Sequence, residues 1–268
     1  MNPKQIFMNT LLNVLVTHIE KHSIQFFYNT NPADPENLPF SLGSGVLLSH
    51  NSNHYIATAA HVVEDYEKYH IGVYTRKKDF FELGAVCKCK EANDATKSTL
   101  DIAIWYIEPE IAVDIAPNDW WYDVKECLTN HKESRISKYF IYGFPANKIK
   151  IIDKTKSIKQ YPFKYFTRGY SASPHAKNAK FNPKFNLLLE FHKKKIIDMR
   201  TGNKQTAPDP YGISGCGLWF LDGLKYRLVG IMTEWKAPTD KIPAFMATKI
   251  DYVLDAIKFL ENNLSIKK

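Results

Sequence analysis

Short apolar segments separated by turn residues run along most of the chain. Twelve of them are rich in Ile, Val, Phe and Tyr and have strand-like length: SIQFFYN, SGVLLS, HYIATAA, IGVYTR, FFELGAV and DIAIWYI, then KYFIYGFP, YFTRGYS, FNLLLEF, CGLWFL, RLVGIMTEW and AFMATKI. Many short strands at near-regular spacing favour antiparallel barrels or sandwiches. The proline-rich NTNPADPENLP is predicted to be a loop, because proline cannot donate to a strand ladder.

Each end of the chain shows a helical pattern instead. Near the amino terminus the apolar positions at helical spacing are Ile6, Leu11, Leu12, Leu15, Val16 and Ile19. They predict an amphipathic helix within residues 1–22 that packs on the domain, with a membrane-surface or partner-docking helix as the alternative. Near the carboxy terminus they are Val253, Leu254, Ile257, Leu260 and Leu264. They predict a helix over residues 251–268, expected to pack on the second group of strands.

The strands fall into two groups separated by a less regular stretch. The prediction is an all-β domain over residues 23–250, with a first barrel over about 23–110, a connector over about 111–136 and a second barrel over about 137–250. The 268 residues suffice for one large domain or two small ones, and 44% of them are hydrophobic, as in a globular protein. No run of about 18 apolar residues occurs, so no membrane span is predicted.

Positive charge is concentrated in one segment. The formal net charge is +8, and residues 148–204 carry 15 Lys and Arg against 3 Asp and Glu. Such a segment attracts nucleic acid or acidic partners in some proteins. No recognised nucleic-acid motif accompanies it, so a solvated, lysine-rich surface is the preferred interpretation and nucleic acid is not expected as a partner.

Four cysteines are present, at positions 87, 89, 127 and 216. Cys87 and Cys89 are two residues apart in an apparent strand and would share a face, but they lack the paired spacing of a zinc site. Few cysteines and no small-residue cleavage site after the first helix favour a reducing, cytoplasmic location. No metal ion or organic cofactor is expected.

Three polar residues interrupt apolar segments in a way that indicates shared chemistry. His61 follows two alanines in YIATAAHVVED, Asp101 begins the apolar segment DIAIWYI, and Ser214 lies in the glycine-rich PYGISGCGLW. A serine hydroxyl needs an adjacent base to act as a nucleophile, and histidine is suited to take and return its proton. A carboxylate in an apolar strand is costly unless it is paired, and a histidine N–H would pair it.

With these motifs the chain resembles the trypsin-like (chymotrypsin-fold) serine peptidases. TAAH is similar to the family's histidine motif, DIAI to its aspartate strand and GISGCG to its Gly-x-Ser-Gly-Gly turn, in the family's order His, Asp, Ser. The resemblance spans about residues 24–250 and implies two six-stranded antiparallel barrels with the active site in the cleft between them. It also implies His61, Asp101 and Ser214 as catalytic residues, with the N–H groups of Gly212 and Ser214 as the oxyanion hole.

The chain departs from the family pattern at two positions beside the serine. Ile213 stands where the secreted digestive members have an Asp that pairs with a new amino terminus, so no activation by amino-terminal clipping is expected. In this respect the chain is closer to intracellular and periplasmic bacterial members. Cys216 replaces the family's second glycine after the serine; a cysteine nucleophile is the less favoured alternative, because Ser214 holds the nucleophile's own position.

The resemblance also assigns a substrate-binding region. VGIMTEWK is similar to the strand that pairs with the substrate, which places Met232, Thr233 and Glu234 beside the substrate, with Thr233 as a hydrogen-bond partner for Asp101. Pro208, Asp209 and Tyr211 would form the wall before the serine. Asp209 would select Lys or Arg at the cleaved bond, or alternatively only cap the turn APDPYG.

These features predict a serine endopeptidase that acts on proteins or peptides through an acyl-enzyme. The alternative is a catalytically silent peptidase fold that binds partners through the basic segment or the amino-terminal helix. A cytoplasmic endopeptidase without a zymogen ion pair would endanger its own cell. We therefore hypothesise gating by a regulatory protein partner, by restricted specificity or by a disordered resting pocket, as in an effector of a bacterial defence system.

Overall fold

The computed structural model describes residues 3–31, 39–64, 68–89, 100–146, 149–152, 157–170, 181–192, 196–197, 204–206, 209–223, 225–236 and 244–265. Over these residues the protein is mostly β, with two curled antiparallel sheets and three α-helices. All twelve apolar segments predicted as strands contain an observed strand. Each of the two larger sheets is built almost wholly from one of the two groups of segments.

The first sheet contains β1 (Ser23–Asn29), β2 (Phe40–His50), β3 (Asn53–Thr58), β4 (His70–Tyr74), β5 (Phe80–Glu82), β6 (Cys87–Cys89), β7 (Ile102–Ile107) and β8 (Tyr122–Asp123). Its order is β5-β4-β1-β2-β3-β7-β6, and β8 pairs with β2 in parallel. Only residues 83–86 separate the edge strands β5 and β6 along the chain, which draws the two edges together. The Trp105 indole N–H on β7 donates to the carbonyl of Gly84 in this link at 3.0 Å.

The remaining strands are β9 (Lys138–Gly143), β10 (Ile149–Ile152), β11 (Ser157–Gln160), β12 (Phe163–Arg168), β13 (Asn186–Glu190), β14 (Ile196–Ile197), β15 (Lys204–Gln205), β16 (Gly217–Asp222), β17 (Lys225–Lys236) and β18 (Ala244–Lys249). Six of them form the second sheet, in the order β12-β9-β16-β17-β18-β13, while β10–β11 and β14–β15 form small hairpins. An antiparallel bridge between Gly169, just after β12, and Leu189 on β13 joins the two edges of the second sheet.

Successive residues of the central strands face two different cores, which explains why these strands are apolar on both faces. On β3, Ile56 packs inside the first sheet, whereas Tyr55 and Ala57 face a core shared by both sheets. On β9, Ile141 likewise packs inside the second sheet and Phe140 faces the shared core. The shared core fastens the two sheets together and fixes the position of one relative to the other.

The helices are α1 (Pro3–Lys21), α2 (Pro109–Ile115) and α3 (Ile250–Ser265). The predicted amino-terminal helix is thus observed, and its Leu15 and Ile19 are buried, Ile19 in the shared core. The side chains of Ile6, Leu11 and Leu12 lie outside the described residues. None of the helices in the described ranges is both long and apolar enough to cross a membrane.

The carboxy-terminal helix packs on the second sheet, as expected, and on the first sheet as well. Val253 and Ile257 enter the shared core. Glu261 is bonded to the β2–β3 hairpin of the first sheet, accepting hydrogen bonds from His50 Nδ1 (2.9 Å), Tyr55 Oη (3.1 Å) and Asn53 Nδ2 (3.3 Å). Burial would raise the pKa of Glu261, but these hydrogen bonds outweigh it and lower that pKa.

The connector is more ordered than its sequence indicated. It contains α2, two 3-10 turns (Asn118–Trp120 and Val124–Glu126) and the short strand β8. Lys21 at the end of α1 pairs with Asp119 in this connector at 3.0 Å, and His22 Nδ1 donates to the Trp120 carbonyl at 2.7 Å. Much of the basic segment lies outside the described residues, namely residue 148 and residues 153–156, 171–180, 193–195 and 198–203.

Candidate active site

The topology of the first sheet brings His61 and Asp101 together. Strands β3 and β7 are antiparallel neighbours, and Thr58, the last residue of β3, pairs with Ala103 near the start of β7. His61 lies three residues beyond Thr58, in a 3-10 turn over Ala60–Val63, and Asp101 directly precedes β7. The two residues therefore meet at one end of the β3–β7 pair, although 40 positions separate them in the chain.

Asp101 holds His61 by two hydrogen bonds. One carboxylate oxygen, Oδ2, lies 2.6 Å from His61 Nδ1, and the other, Oδ1, accepts from the His61 backbone N–H at 3.0 Å. The imidazole is 45% exposed, whereas the Asp101 side chain is only 24% exposed. Because the carboxylate accepts a hydrogen bond from Nδ1–H, the neutral ring carries its proton on Nδ1. Nε2 is then the ring nitrogen that can accept a proton in a reaction.

The turn that carries Ser214 is built by two glycines. Gly212 and Gly215 have φ values of +90° and +89°, a conformation that residues with a side chain rarely adopt. Within the turn, Ile213 N donates to the Pro210 carbonyl and Cys216 N to the Ile213 carbonyl, both at 3.1 Å. The turn thus projects Ser214 between the two glycines, directly before β16.

This turn packs against the first sheet, where it is hydrogen-bonded to Ser44 of β2. Ser44 N donates to the Ser214 carbonyl at 2.9 Å, and the Thr58 hydroxyl donates to the Ser44 carbonyl at 2.7 Å. A Cβ on Gly215 would lie 2.0 Å from both the Ser44 carbonyl oxygen and Thr58 Oγ1, so only glycine permits this close approach. The Ser44 hydroxyl also accepts from Phe144 N at 2.8 Å, which adds a link to the second sheet.

The same contacts with β2 place the Ser214 turn beside the 3-10 turn that carries His61. Val62 and Ser214 both lie against Gly43. A Cβ on Gly43 would lie 2.8 Å from Val62 Cγ1 and 3.1 Å from the Ser214 carbonyl oxygen. Val62 directly follows His61. The structure therefore brings the three sequence-predicted residues to one region, where the two sheets meet.

Ser44 and Thr58 are positioning residues that the sequence interpretation missed. Ser44 lies in the run Gly43-Ser44-Gly45 at the start of an apolar strand, and Thr58 lies within the TAAH motif. Both are fully buried. The signal available was a small polar residue between two glycines in a strand that is otherwise apolar, since such glycines often mark a close backbone approach.

Two backbone amides of the turn are not used by its internal hydrogen bonds. Among the residues that the structure describes, Gly212 N and Ser214 N donate to no protein acceptor, whereas Ile213 N, Gly215 N and Cys216 N all do. Gly212 lies close to Ala146: a Cβ on Gly212 would lie only 2.2 Å from Ala146 N. Unused amides next to a serine are suited to bind an oxyanion.

On the side of the second sheet, Ser214 borders β17. The Ser214 hydroxyl lies 3.4 Å from the Thr233 carbonyl oxygen, and Gly215 N donates to the Met232 carbonyl. The pairing of β17 with β18 shifts register between Met232 and Glu234, a bulge of the kind often found beside active sites. The Thr233 hydroxyl donates to the Met246 carbonyl at 3.3 Å rather than to Asp101, which corrects the expected hydrogen bond.

The predicted substrate-binding residues have different surroundings. Met232 is 2% exposed and packs in the core of the second sheet, and its backbone N and O are bonded to Cys216 and Gly215. Glu234 is half-buried. Because Met232 is buried and Glu234 is half-buried, the exposed surface next to Ser214 is formed by other residues of the Ser214 turn.

On the other side of the serine, Tyr211 is 70% exposed. Asp209 is exposed too, and its Oδ1 accepts from Tyr211 N at 3.1 Å, which is the turn-capping role that the sequence left open. A role for Asp209 in substrate selection stays a prediction. Pro208 lies outside the described residues.

The two residues that depart from the family pattern are buried beside the serine. Ile213 is 3% exposed and packs in the core of the second sheet. Cys216 is fully buried, and burial raises the pKa of its thiol. A buried thiol of raised pKa is a poor nucleophile, so Ser214 is the better candidate.

Across the described ranges, no group of three or more His, Cys, Asp or Glu side chains is arranged to hold a metal ion. A scan against models of known protein families matches none of them, and a search of curated proteins gives no match. Function is therefore inferred from the geometry of the site and from the motifs that form it.

Proposed function

We propose that the protein is a serine endopeptidase of the chymotrypsin-fold type that cleaves peptide bonds through an acyl-enzyme. The observation that carries the proposal is the two-point attachment of His61 to Asp101, at 2.6 and 3.0 Å, next to the glycine-supported turn of Ser214. A carboxylate that holds both the ring and the backbone of a histidine orients the ring, and orientation is what a general base requires.

In the proposed reaction Ser214 Oγ attacks the peptide carbonyl while His61 Nε2 takes its proton. The Ser214 hydroxyl gives up its long contact with the Thr233 carbonyl, 3.4 Å, in favour of the imidazole. His61 then returns the proton to the leaving amine, and water repeats the cycle to release the acyl group. Asp101 keeps the proton on Nδ1 and stabilises the imidazolium that forms.

The N–H groups of Gly212 and Ser214 bind the oxyanion in this proposal. Donors of this kind are each worth about 3 kcal/mol of barrier. The positive φ of Gly212 turns its peptide out of the ordinary strand or helix direction, and any side chain there would collide with Ala146.

The direct test is labelling with a fluorophosphonate probe. The wild-type protein is expected to react and Ser214→Ala is not, because only an activated serine attacks the phosphorus. Ser49→Ala is the matched control, since Ser49 is a half-buried serine on β2 of the first sheet whose hydroxyl makes a 3.4 Å contact with the Trp121 carbonyl. Labelling of both wild type and Ser214→Ala, or of neither, contradicts the proposal; salt-dependent partner binding without labelling favours the silent binding module.

A matched histidine control is also present in the chain. His70 Nδ1 lies 2.9 Å from Glu82 Oε2 on the β4–β5 pair, so this is a second histidine–carboxylate pair joined through Nδ1. His61→Gln is expected to abolish labelling and His70→Gln to leave it unchanged. Equal effects of both substitutions would mean that the labelling reports stability rather than a base at Ser214.

We extend the proposal to control of the enzyme by a protein partner. The protein alone is expected to cleave an unrelated unfolded protein slowly, although the probe labels it. Rapid digestion of such a substrate by the isolated protein contradicts partner control and leaves the peptidase assignment intact.

A further inference from the structure

Two cysteine thiols meet on the edge strand that neighbours Asp101. Cys87 and Cys89 are the first and last residues of β6, and both are half-buried free thiols. Residues two apart on a strand point to the same face, so the two thiols are neighbours on one face of β6. The peptidase chemistry proposed above makes no use of this pair.

The electrostatics of the pair favour reaction at Cys87. The hydrogen bond from Cys89 lowers the pKa of the Cys87 thiol to about 7, against the opposing effect of burial. The same hydrogen bond, together with burial, raises the pKa of Cys89. A thiolate next to a protonated thiol supplies both the attacking and the resolving group of an oxidation.

The strand that carries the pair is connected to both partners of the candidate active site. Cys89 pairs with Ile102, the residue that follows Asp101, and Lys88 pairs with Ala103. On the opposite side of β6, Lys88 Nζ donates to the Glu64 carbonyl at 3.4 Å, and Glu64 N caps the 3-10 turn by donating to the His61 carbonyl. β6 is thus connected to Asp101 through Ile102 and to His61 through Glu64. A change in the conformation of β6 is therefore expected to affect both residues.

We propose that Cys87 and Cys89 are an oxidation site for two-electron oxidants of the hydroperoxide class, and that their disulfide withdraws β6 from β7. The Cys87 thiolate attacks the peroxide, the O–O bond breaks, and the sulfur becomes a sulfenic acid with loss of water or alcohol. The Cys89 thiol then attacks that sulfur, forming the S–S bond and releasing the sulfenic hydroxyl as water. Together the two sulfurs lose two electrons, and the peroxide gains them.

The geometry of a strand explains why the disulfide changes the fold locally. Same-face neighbours of an extended strand are about 6.6 Å apart, whereas a disulfide holds its Cβ atoms about 4 Å apart. The segment must shorten by about 2 Å or more and leave the extended conformation. β6 has three residues at a sheet edge, so few hydrogen bonds oppose this change. A strained disulfide of this kind is readily reduced again.

The test uses the full chain treated with hydrogen peroxide. Intact mass is expected to fall by two hydrogen atoms in wild type and in Cys127→Ser, to return with dithiothreitol, and not to fall in Cys87→Ser or Cys89→Ser. Cys127 is the control because its thiol, whose pKa burial raises, has no place in the pair. No mass loss in wild type, or a loss that persists in either Cys87→Ser or Cys89→Ser, overturns the site.

Hydrogen exchange measures the proposed withdrawal of β6 independently of activity. Amides of β7 are expected to exchange faster in the oxidised wild type than in the reduced form, and unchanged exchange overturns the structural coupling. A third readout rests on the proposed function: oxidation is expected to slow fluorophosphonate labelling about 100-fold, because a shift of about 1 Å at a catalytic group has an effect of that size. If the reduced protein is not labelled at all, the proposed function fails while the mass and exchange results still decide the oxidation site.

Discussion

Replacing Gly215 with alanine tests whether the packing of the Ser214 turn against Ser44 and Thr58 of the first sheet sets the position of Ser214. A Cβ there would lie 2.0 Å from the Ser44 carbonyl oxygen and from Thr58 Oγ1, well inside any normal contact, so the turn must move by about 1 Å. The matched control is Gly223→Ala. Gly223 also has a positive φ, +61°, but nothing lies within 4 Å of its added Cβ.

The comparison separates backbone strain from the collision. Gly223→Ala carries only the cost of a left-handed alanine, about 1 kcal/mol of unfolding free energy. Gly215→Ala carries a strain of similar size and, in addition, about 1–3 kcal/mol for overpacking. A displacement of Ser214 by about 1 Å is expected to slow labelling about 100-fold in Gly215→Ala alone.

Urea unfolding followed by tryptophan fluorescence gives the free energies, and the rate of fluorophosphonate labelling gives the effect at the site. Equal stability and equal labelling rates for the two variants would refute the reasoning, because the contacts of Gly215 with Ser44 and Thr58 would then carry no constraint.

Three further changes test other parts of the account. Asp101→Asn is expected to slow labelling about 10⁴-fold, because an amide favours the wrong imidazole tautomer, while Glu82→Gln in the matched pair leaves the rate unchanged. Thr58→Val removes the buried hydrogen bond to Ser44 and is expected to cost about 1 kcal/mol in urea unfolding, with slower labelling. Glu261 has a lowered pKa in the folded protein, so its stabilisation is present above the ordinary value of 4.5 and is lost as the pH falls through the lowered value. The stability difference between wild type and Glu261→Gln should therefore shrink in acid, and a difference independent of pH would contradict this.

The strands were predictable from sequence because their apolar runs are long, β-branched and bounded by turn residues. The meeting of His61 with Asp101 was predictable from the motifs TAAH, DIAI and GISGCG in their order along the chain, although 40 positions separate the two residues. Each of these signals, strand pattern or motif, is contained in a segment of about ten residues.

The parts that were not predictable depend on contacts between distant segments. The packing of α3 on the first sheet depends on Glu261 meeting His50, Asn53 and Tyr55, and no local pattern marks that carboxylate. The Thr233 hydroxyl bonds to Met246 because β17 bulges at this position, and a bulge leaves little trace in sequence. The role of Ser44 depends on the second sheet's turn docking on it.

The most direct measurement of the central claim is the identity of the residue that carries the fluorophosphonate adduct. Peptide mapping by mass spectrometry after labelling of the reduced wild-type protein is expected to place one adduct on the peptide that contains Ser214, and none when His61 is replaced by Gln. An adduct on any other residue, or an adduct on Ser214 that forms as fast without His61, would contradict a nucleophile activated by the His61–Asp101 pair.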